Sequence, residues 1–235
     1  MVMKKLGPLL LVTCSLIACS VEGSHPPMPA PPPAQTASAP ISVRSQPTSA
    51  SDSLDAAEAA AINAADRNVS RLGSELRIHL LDGRNAVFKD DTTPGQFALP
   101  RYAGYLKTIH SHVVHRIPYE GSGAYWVIDD LTGDSTIVFG MPVVSPDSTR
   151  FAITSMSGET DYDPSLLEIW RMVGRKPERE FSHDSGEDSW DPSDAVWRDS
   201  VTVDFIKNSR IPPYPTSRGR LVRTGATWAL SESAR

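Results

Sequence analysis

His110-Ser111-His112 is the pair of side chains best spaced for chemistry in this chain. On a β-strand, residues i and i+2 share a face, which places the two imidazoles about 6 to 7 Å apart. Joined by a carboxylate, they could hold zinc or copper. His115 lies at odd offsets from both and belongs to the other face, so His110 and His112 are metal candidates without a third ligand. Hydrogen-bonded strand histidines are the simpler reading. Asp184, Glu187, Asp188, Asp191 and Asp194 crowd carboxylates around Gly186 in one loop-like stretch. Their spacing is not that of the twelve-residue calcium loop, and a solvated acidic loop accounts for them. Glu159, Asp161 and Asp163 receive the same reading, in a long loop between strands. Trp126, Trp170, Trp190, Trp197 and Trp228 could stack on sugar rings, but tryptophan at strand positions is more often core.

Nucleophilic and cofactor arrangements are missing. The chain has no Gly-x-Ser-x-Gly, no Ser-x-x-Lys, no His-Glu-x-x-His and no phosphate loop. Gly121-Ser122-Gly123 lacks a third glycine and reads as a hairpin tip. A carboxylate pair for glycoside chemistry can be assembled from distant residues, and nothing singles one out. The expectation leans away from an enzyme, with no catalytic residues and no cofactor. Two cysteines, Cys14 and Cys19, are the only thiols.

Those two thiols sit at one end of an address. Lys4 and Lys5 precede an apolar run, 6–17, which ends in Leu16-Ile17-Ala18-Cys19. This layout resembles the bacterial lipoprotein signal, an aliphatic residue, a small or aliphatic one, Ala or Gly, then Cys. The resemblance implies cleavage before Cys19, diacylglyceryl transfer to its thiol and acylation of its new amino group. Residues 1–18 are then the signal peptide, and the membrane is a partner through the anchor at Cys19. Ser20 in place of aspartate leans toward the outer membrane of the cell envelope. The apolar run is too short to span a bilayer, which needs about 20 residues. Cys14 leaves with the signal and Cys19 is consumed by lipid, so the remaining chain has no thiol for a disulfide, a metal or a nucleophile.

Composition narrows the partners. The chain carries 23 Lys and Arg against 28 Asp and Glu, a net charge of −5, and loss of Lys4 and Lys5 takes it to about −7. Nonspecific nucleic-acid binding needs clustered cations and is disfavoured. Residues 19–53 are Pro, Ala, Ser and Thr with almost no large apolar side chain, and read as an unfolded, partly extended tether. Residues 54–72 read as one short α-helix. Asp55 and Glu58 suit its first turn, Leu54, Ala61, Ile62, Ala65, Val69 and Leu72 share one side apart from Glu58, and Gly73 is the stop.

From residue 73 to 235 the period becomes extended. Residues 76–80 and 86–88 flank Asp82-Gly83 as a hairpin. Further strands are expected at 109–117, 124–128, 135–139, 150–154, 166–172, 195–197, 201–206, 220–223 and 226–230. Short strands and short turns imply an all-β domain built as an antiparallel meander. Pro212-Pro213-Tyr214-Pro215 reads as a rigid loop before the last two strands.

Within that run, Trp126-Val127-Ile128-Asp129-Asp130-Leu131-Thr132-Gly133, then Val144-Ser145-Pro146-Asp147-Ser148-Thr149-Arg150-Phe151-Ala152, then Leu167-Glu168-Ile169-Trp170 resemble a repeat of TolB-type β-propellers. Residues 195–205 are a fainter echo. Ser148 stands where the family has glycine, so the left-handed residue has moved or the turn type has changed. The resemblance implies a β-propeller-like or partial-propeller domain; the longer order also resembles uncharacterised bacterial envelope proteins. The expected whole is a lipid-anchored envelope protein whose β-domain binds an envelope protein or polymer without catalysis. The alternative is a ligand-binding, metal-binding or hydrolytic domain using His and Asp groups on loops.

Overall fold

The structure is a computed structural model that describes residues 50–65, 68–157, 163–186 and 188–232. The expected signal, Cys19 and the tether up to residue 49 lie outside the described residues, as do Glu159, Asp161 and Glu187.

One helix, α1 (Ala50–Ala64), precedes fifteen strands arranged as four antiparallel sheets, each a meander of consecutive strands. The first sheet holds β1 (Val69–Leu72), β2 (Glu75–His79) and β3 (Asn85–Lys89). The second holds β4 (Ala98–Leu106), β5 (Ser111–Pro118), β6 (Ala124–Asp129) and β7 (Ser135–Val138). β8 (Val143–Val144), β9 (Arg150–Ser155), β10 (Leu166–Val173) and β11 (Lys176–Asp184) form the third. β12 (Trp190–Trp197), β13 (Thr202–Ser209), β14 (Thr216–Thr224) and β15 (Thr227–Glu232) form the fourth. The domain is all-β and propeller-like, with a short helix ahead of it.

Three apolar clusters join neighbouring sheets in turn. Leu76 and Ile78 of the first sheet meet Tyr102, Val114 and Ile128 of the second. Val127 and Val138 of the second meet Phe151 and Ile153 of the third. Leu167 and Ile169 of the third meet Val203, Phe205 and Leu221 of the fourth. None of these clusters joins the fourth sheet back to the first, so the described blades form an open arc.

The outer face of the fourth sheet is charged. Asp204 accepts hydrogen bonds from Arg220 (2.6 Å) and Arg198 (2.6 Å), and these hold its carboxyl down to about 2.

In the turn Ser145-Pro146-Asp147-Ser148, the Ser148 N–H donates to the Ser145 carbonyl (2.9 Å) and Ser148 itself is the left-handed residue, at φ 59°. Asp147 holds the turn by accepting from Ser145 Oγ (2.6 Å) and Thr149 N (3.2 Å). Phe151 and Ile153 then enter the core together, both fully buried.

Two helix expectations need correction. α1 starts at Ala50, within the stretch assigned to the tether, because the last proline is Pro47 and alanine favours helix from there. It ends at Ala64 rather than Leu72. Val69 to Leu72 instead pair with Glu75 to Ile78 across a two-residue turn, where Gly73 takes φ 58°. Pairing with a buried strand outweighs a thin alanine-rich stripe. The stripe itself is inverted in part, since Leu54 and Leu72 are exposed while Glu58 is buried.

Glu58 explains where the helix sits. β4 is the edge of the second sheet, and α1 packs along it. Glu58 Oε1 accepts the Tyr102 N–H (2.8 Å), and Arg71, which pairs with Glu58 Oε2 (2.8 Å), donates to the Pro100 carbonyl. The open hydrogen-bonding groups of an edge strand are thereby capped by one ion pair.

The strands missed in sequence are mostly edges. β4 contains Pro100 and Gly104, and β11 contains Pro177 and five charged residues. Such residues read as loop, yet an edge strand tolerates them. β1 and the two-residue β8 were also missed. Ile109, expected in a strand, lies in the 3-10 turn Lys107–Ile109, and the expected loop around Asp191 and Asp194 belongs to β12.

Candidate functional site

β4 and β5 form a hairpin through the 3-10 turn Lys107–Ile109, and the histidines follow that turn. His110 ends that turn in left-handed conformation (φ 52°), before β5 begins at Ser111. The shared strand face expected for His110 and His112 therefore does not form. His110 is largely exposed, its Nδ1 3.6 Å from Asp130 Oδ2. His112 is buried in β5, and His115 lies on the opposite face, stacked on Tyr125 at 4.2 Å.

A β-bulge builds the surroundings of His112. Tyr102 and Tyr105 are three apart and would face opposite sides of a regular strand. The register shift between Tyr102 and Gly104, with Gly104 at φ 145°, restores Tyr105 to the face of Tyr102. Tyr102 Oη then lies 2.9 Å from His112 Nδ1, and the Tyr105 ring packs 4.8 Å from the imidazole. Tyr105 Oη donates to Asp130 Oδ2 at 2.6 Å.

Asp129 and Asp130 end β6 side by side. Asp129 Oδ1 accepts from Leu131 N (3.0 Å) and Thr132 N (2.7 Å), which shapes the turn toward Gly133. Arg175, at the β10–β11 turn, reaches across to Asp129 Oδ2 (2.6 Å) and to Asp130 Oδ1. Burial lowers the pKa of His112, only partly offset by Asp130, so its imidazole is neutral at pH 7. Burial and the bond to Asp130 push Tyr105 up to about 12.

The result is a cavity of about 310 Å³ between the first and second sheets, with Tyr105, His112, His79, Lys107, Asn68 and Asp130 in its wall. Its wall carries several hydrogen-bonding groups. Among the described residues, no group of three His, Cys, Asp or Glu side chains is placed to hold a metal ion. The described acidic residues of the calcium candidates are held by the fold instead. Asp191 accepts from Ser165 Oγ (2.5 Å), Asp188 pairs with His183 (2.8 Å), and Asp163 receives Gly123 N (3.2 Å) at the predicted hairpin tip.

A second feature lies in the same inter-sheet cleft, at the other end of its strands, and sequence reasoning missed it. Tyr102, Val114, Trp126 and Ile137 form one cross-strand row over β4 to β7. Tyr102 and Val114 are buried, Trp126 is half-buried and Ile137 is 53% exposed. Val138, the next residue of β7, faces the third sheet and is 1% exposed. The difference follows from strand count, four strands on one side against three on the other.

Beside β3, the free edge of the first sheet, runs a trough. A space of about 330 Å³ between Phe88 and Trp126, whose rings meet edge-on at 5.3 Å, continues through about 440 Å³ around Ile137 and Phe139. It ends against Phe97 and Tyr119, in edge contact at 5.9 Å. All five tryptophans pack in or against core clusters, and Trp126 alone of them also lines this trough. The aromatic signal was present in the sequence, but exposure depends on the first sheet having three strands among the described residues, which no local pattern encodes. No family model matches the chain, and no curated protein or solved structure matches it.

Proposed function

We propose that this chain is a lipid-anchored cell-envelope protein, held at Cys19, whose β-domain binds an extended segment of an envelope protein without catalysis. The observation that carries the reading is the row from Tyr102 to Ile137, whose exposure rises as the first sheet runs out of strands. One added strand beside β3 would satisfy that edge and cover Trp126 and Ile137. This is recognition by strand addition, with main-chain bonds giving affinity and alternate side chains giving specificity. An apolar patch of this kind on a charged surface marks an interaction site.

The occupant is a single strand rather than a second copy. Antiparallel pairing of β3 with its counterpart in another copy would drive two overhanging second sheets into the same space. A polymer chain offers no amide row for the β3 edge, so a polypeptide fits better. The lipobox and the TolB-like repeat support an envelope setting for such a partner, and nucleic acid stays disfavoured by the net charge of −5.

Ile137→Asp tests this directly. Ile137 is exposed, so the substitution is expected to change stability by no more than about 0.5 kcal/mol. Recovery of the envelope partner should fall at least about tenfold, which is about 1.4 kcal/mol. Ala229→Asp, on the outer face of the fourth sheet, should leave recovery unchanged. Equal recovery with both variants would refute the trough as the binding face.

A further inference from the structure

We propose that the His112 cavity is a separate binding site for a neutral polyhydroxyl ligand the size of one sugar ring. It stands apart from the trough and does not depend on that reading. Its volume of about 310 Å³ sits at the low end of small-molecule sites, roughly 300–1,000 Å³, leaving room for one ring rather than a chain.

The histidine is set as a donor. Tyr102 is 2% exposed, and its hydroxyl has no acceptor among the described residues other than His112 Nδ1. A buried phenol must place its proton on that nitrogen, which fixes the tautomer with hydrogen on Nε2. Nε2 has no protein partner among the described residues, on a side chain 4% exposed that lines the cavity. Nε2 is reached from the cavity and faces its polar wall, so it can donate to a ligand oxygen that enters.

The remaining wall selects for neutrality. The Asp130 carboxylate opposes an anion, while Lys107 opposes a cation. Asp130 keeps lone pairs beyond those used by Tyr105 and Arg175, and the Asn68 amide adds a donor and an acceptor. Ala64, Ala65 and the Tyr105 ring supply an apolar surface. Alternating hydroxyls on a ring with an apolar C–H face match this mixture, and a carboxylate or phosphate does not.

The test is an NMR titration of the full chain with glucose and N-acetylglucosamine, with acetate and phosphate as anionic probes. The expected result is saturable binding of a neutral sugar that shifts the His112 ring signals. His112→Phe keeps the ring volume and should weaken binding about tenfold or more. Lys107→Ala and Asn68→Ala, at exposed positions, should weaken it without unfolding the chain, so a misfolded His112 variant leaves the question answerable. Absence of saturable shifts with either sugar, tighter binding of phosphate or acetate, or unchanged sugar affinity in all three variants would overturn the proposal. Loss of sugar binding would leave the Ile137→Asp result untouched.

Discussion

Glu58→Ala is expected to lower the unfolding free energy by about 3–5 kcal/mol, the largest loss from any single change in α1. The Glu58 carboxylate is 5% exposed and faces three groups that need it. They are the Tyr102 N–H at 2.8 Å, the Arg71 guanidinium at 2.8 Å and Arg101 at 3.7 Å. Removing it leaves two cations around Asp90, which pairs with both at 3.2 Å and cannot also reach the β4 edge amide. The apolar share of helix docking, from Ala61, Ile62 and Ala65, is small by comparison. Glu58→Gln should cost less than Glu58→Ala, since an amide oxygen can still accept from Tyr102. Leu54→Ala, at an exposed position on the same helix, should cost no more than about 0.5 kcal/mol. Urea unfolding followed by tryptophan fluorescence reads all three. A Glu58→Ala loss no larger than that of Leu54→Ala would mean that the ion pair does not hold the helix.

The second large effect concerns location. Cys19→Ala is expected to abolish acylation and shift the protein almost entirely from the membrane to the soluble fraction. Two or three acyl chains hold firmly where one gives only marginal binding, on the order of 10⁴ M⁻¹. No described helix is long and apolar enough to cross a membrane. Cell fractionation with lipid labelling measures this. Membrane association unchanged in the variant would remove the anchor from the account, and with it the envelope setting of the proposed partner.

Local signals made much of the fold legible. Alternation at 76–80, the β-rich run at 124–128, and the turns at Asp82-Gly83, Thr132-Gly133 and Ser145-Pro146-Asp147, placed strands and hairpins close to where they lie. Elements set by distant partners were not legible. β1 looks helical until Ile78 pairs with Val69, and β4 looks like loop until α1 covers its edge.

The site shows the same division. His112 stood out for its spacing, but the metal reading assumed a regular strand through His110. The bulge at Gly104, the Tyr102 partner and Asp130 brought close by the β6 turn are tertiary facts. The trough was less visible still. Phe88, Trp126 and Ile137 are ordinary core residues by type, and the described first sheet, one strand shorter than its neighbours, leaves Ile137 exposed and Phe88 and Trp126 half-buried.

Whether a partner strand lies beside β3 is read by site-specific photo-cross-linking in intact cells. A photoreactive residue would replace Ile137 or Tyr119 in the trough, or Ala229 on the far sheet, in the full chain. Positions 137 and 119 are expected to give the same single protein adduct, mapped to one extended segment of an envelope protein, and position 229 none. No adduct from 137, or the same adducts from 229 as from the trough, would contradict a partner strand there.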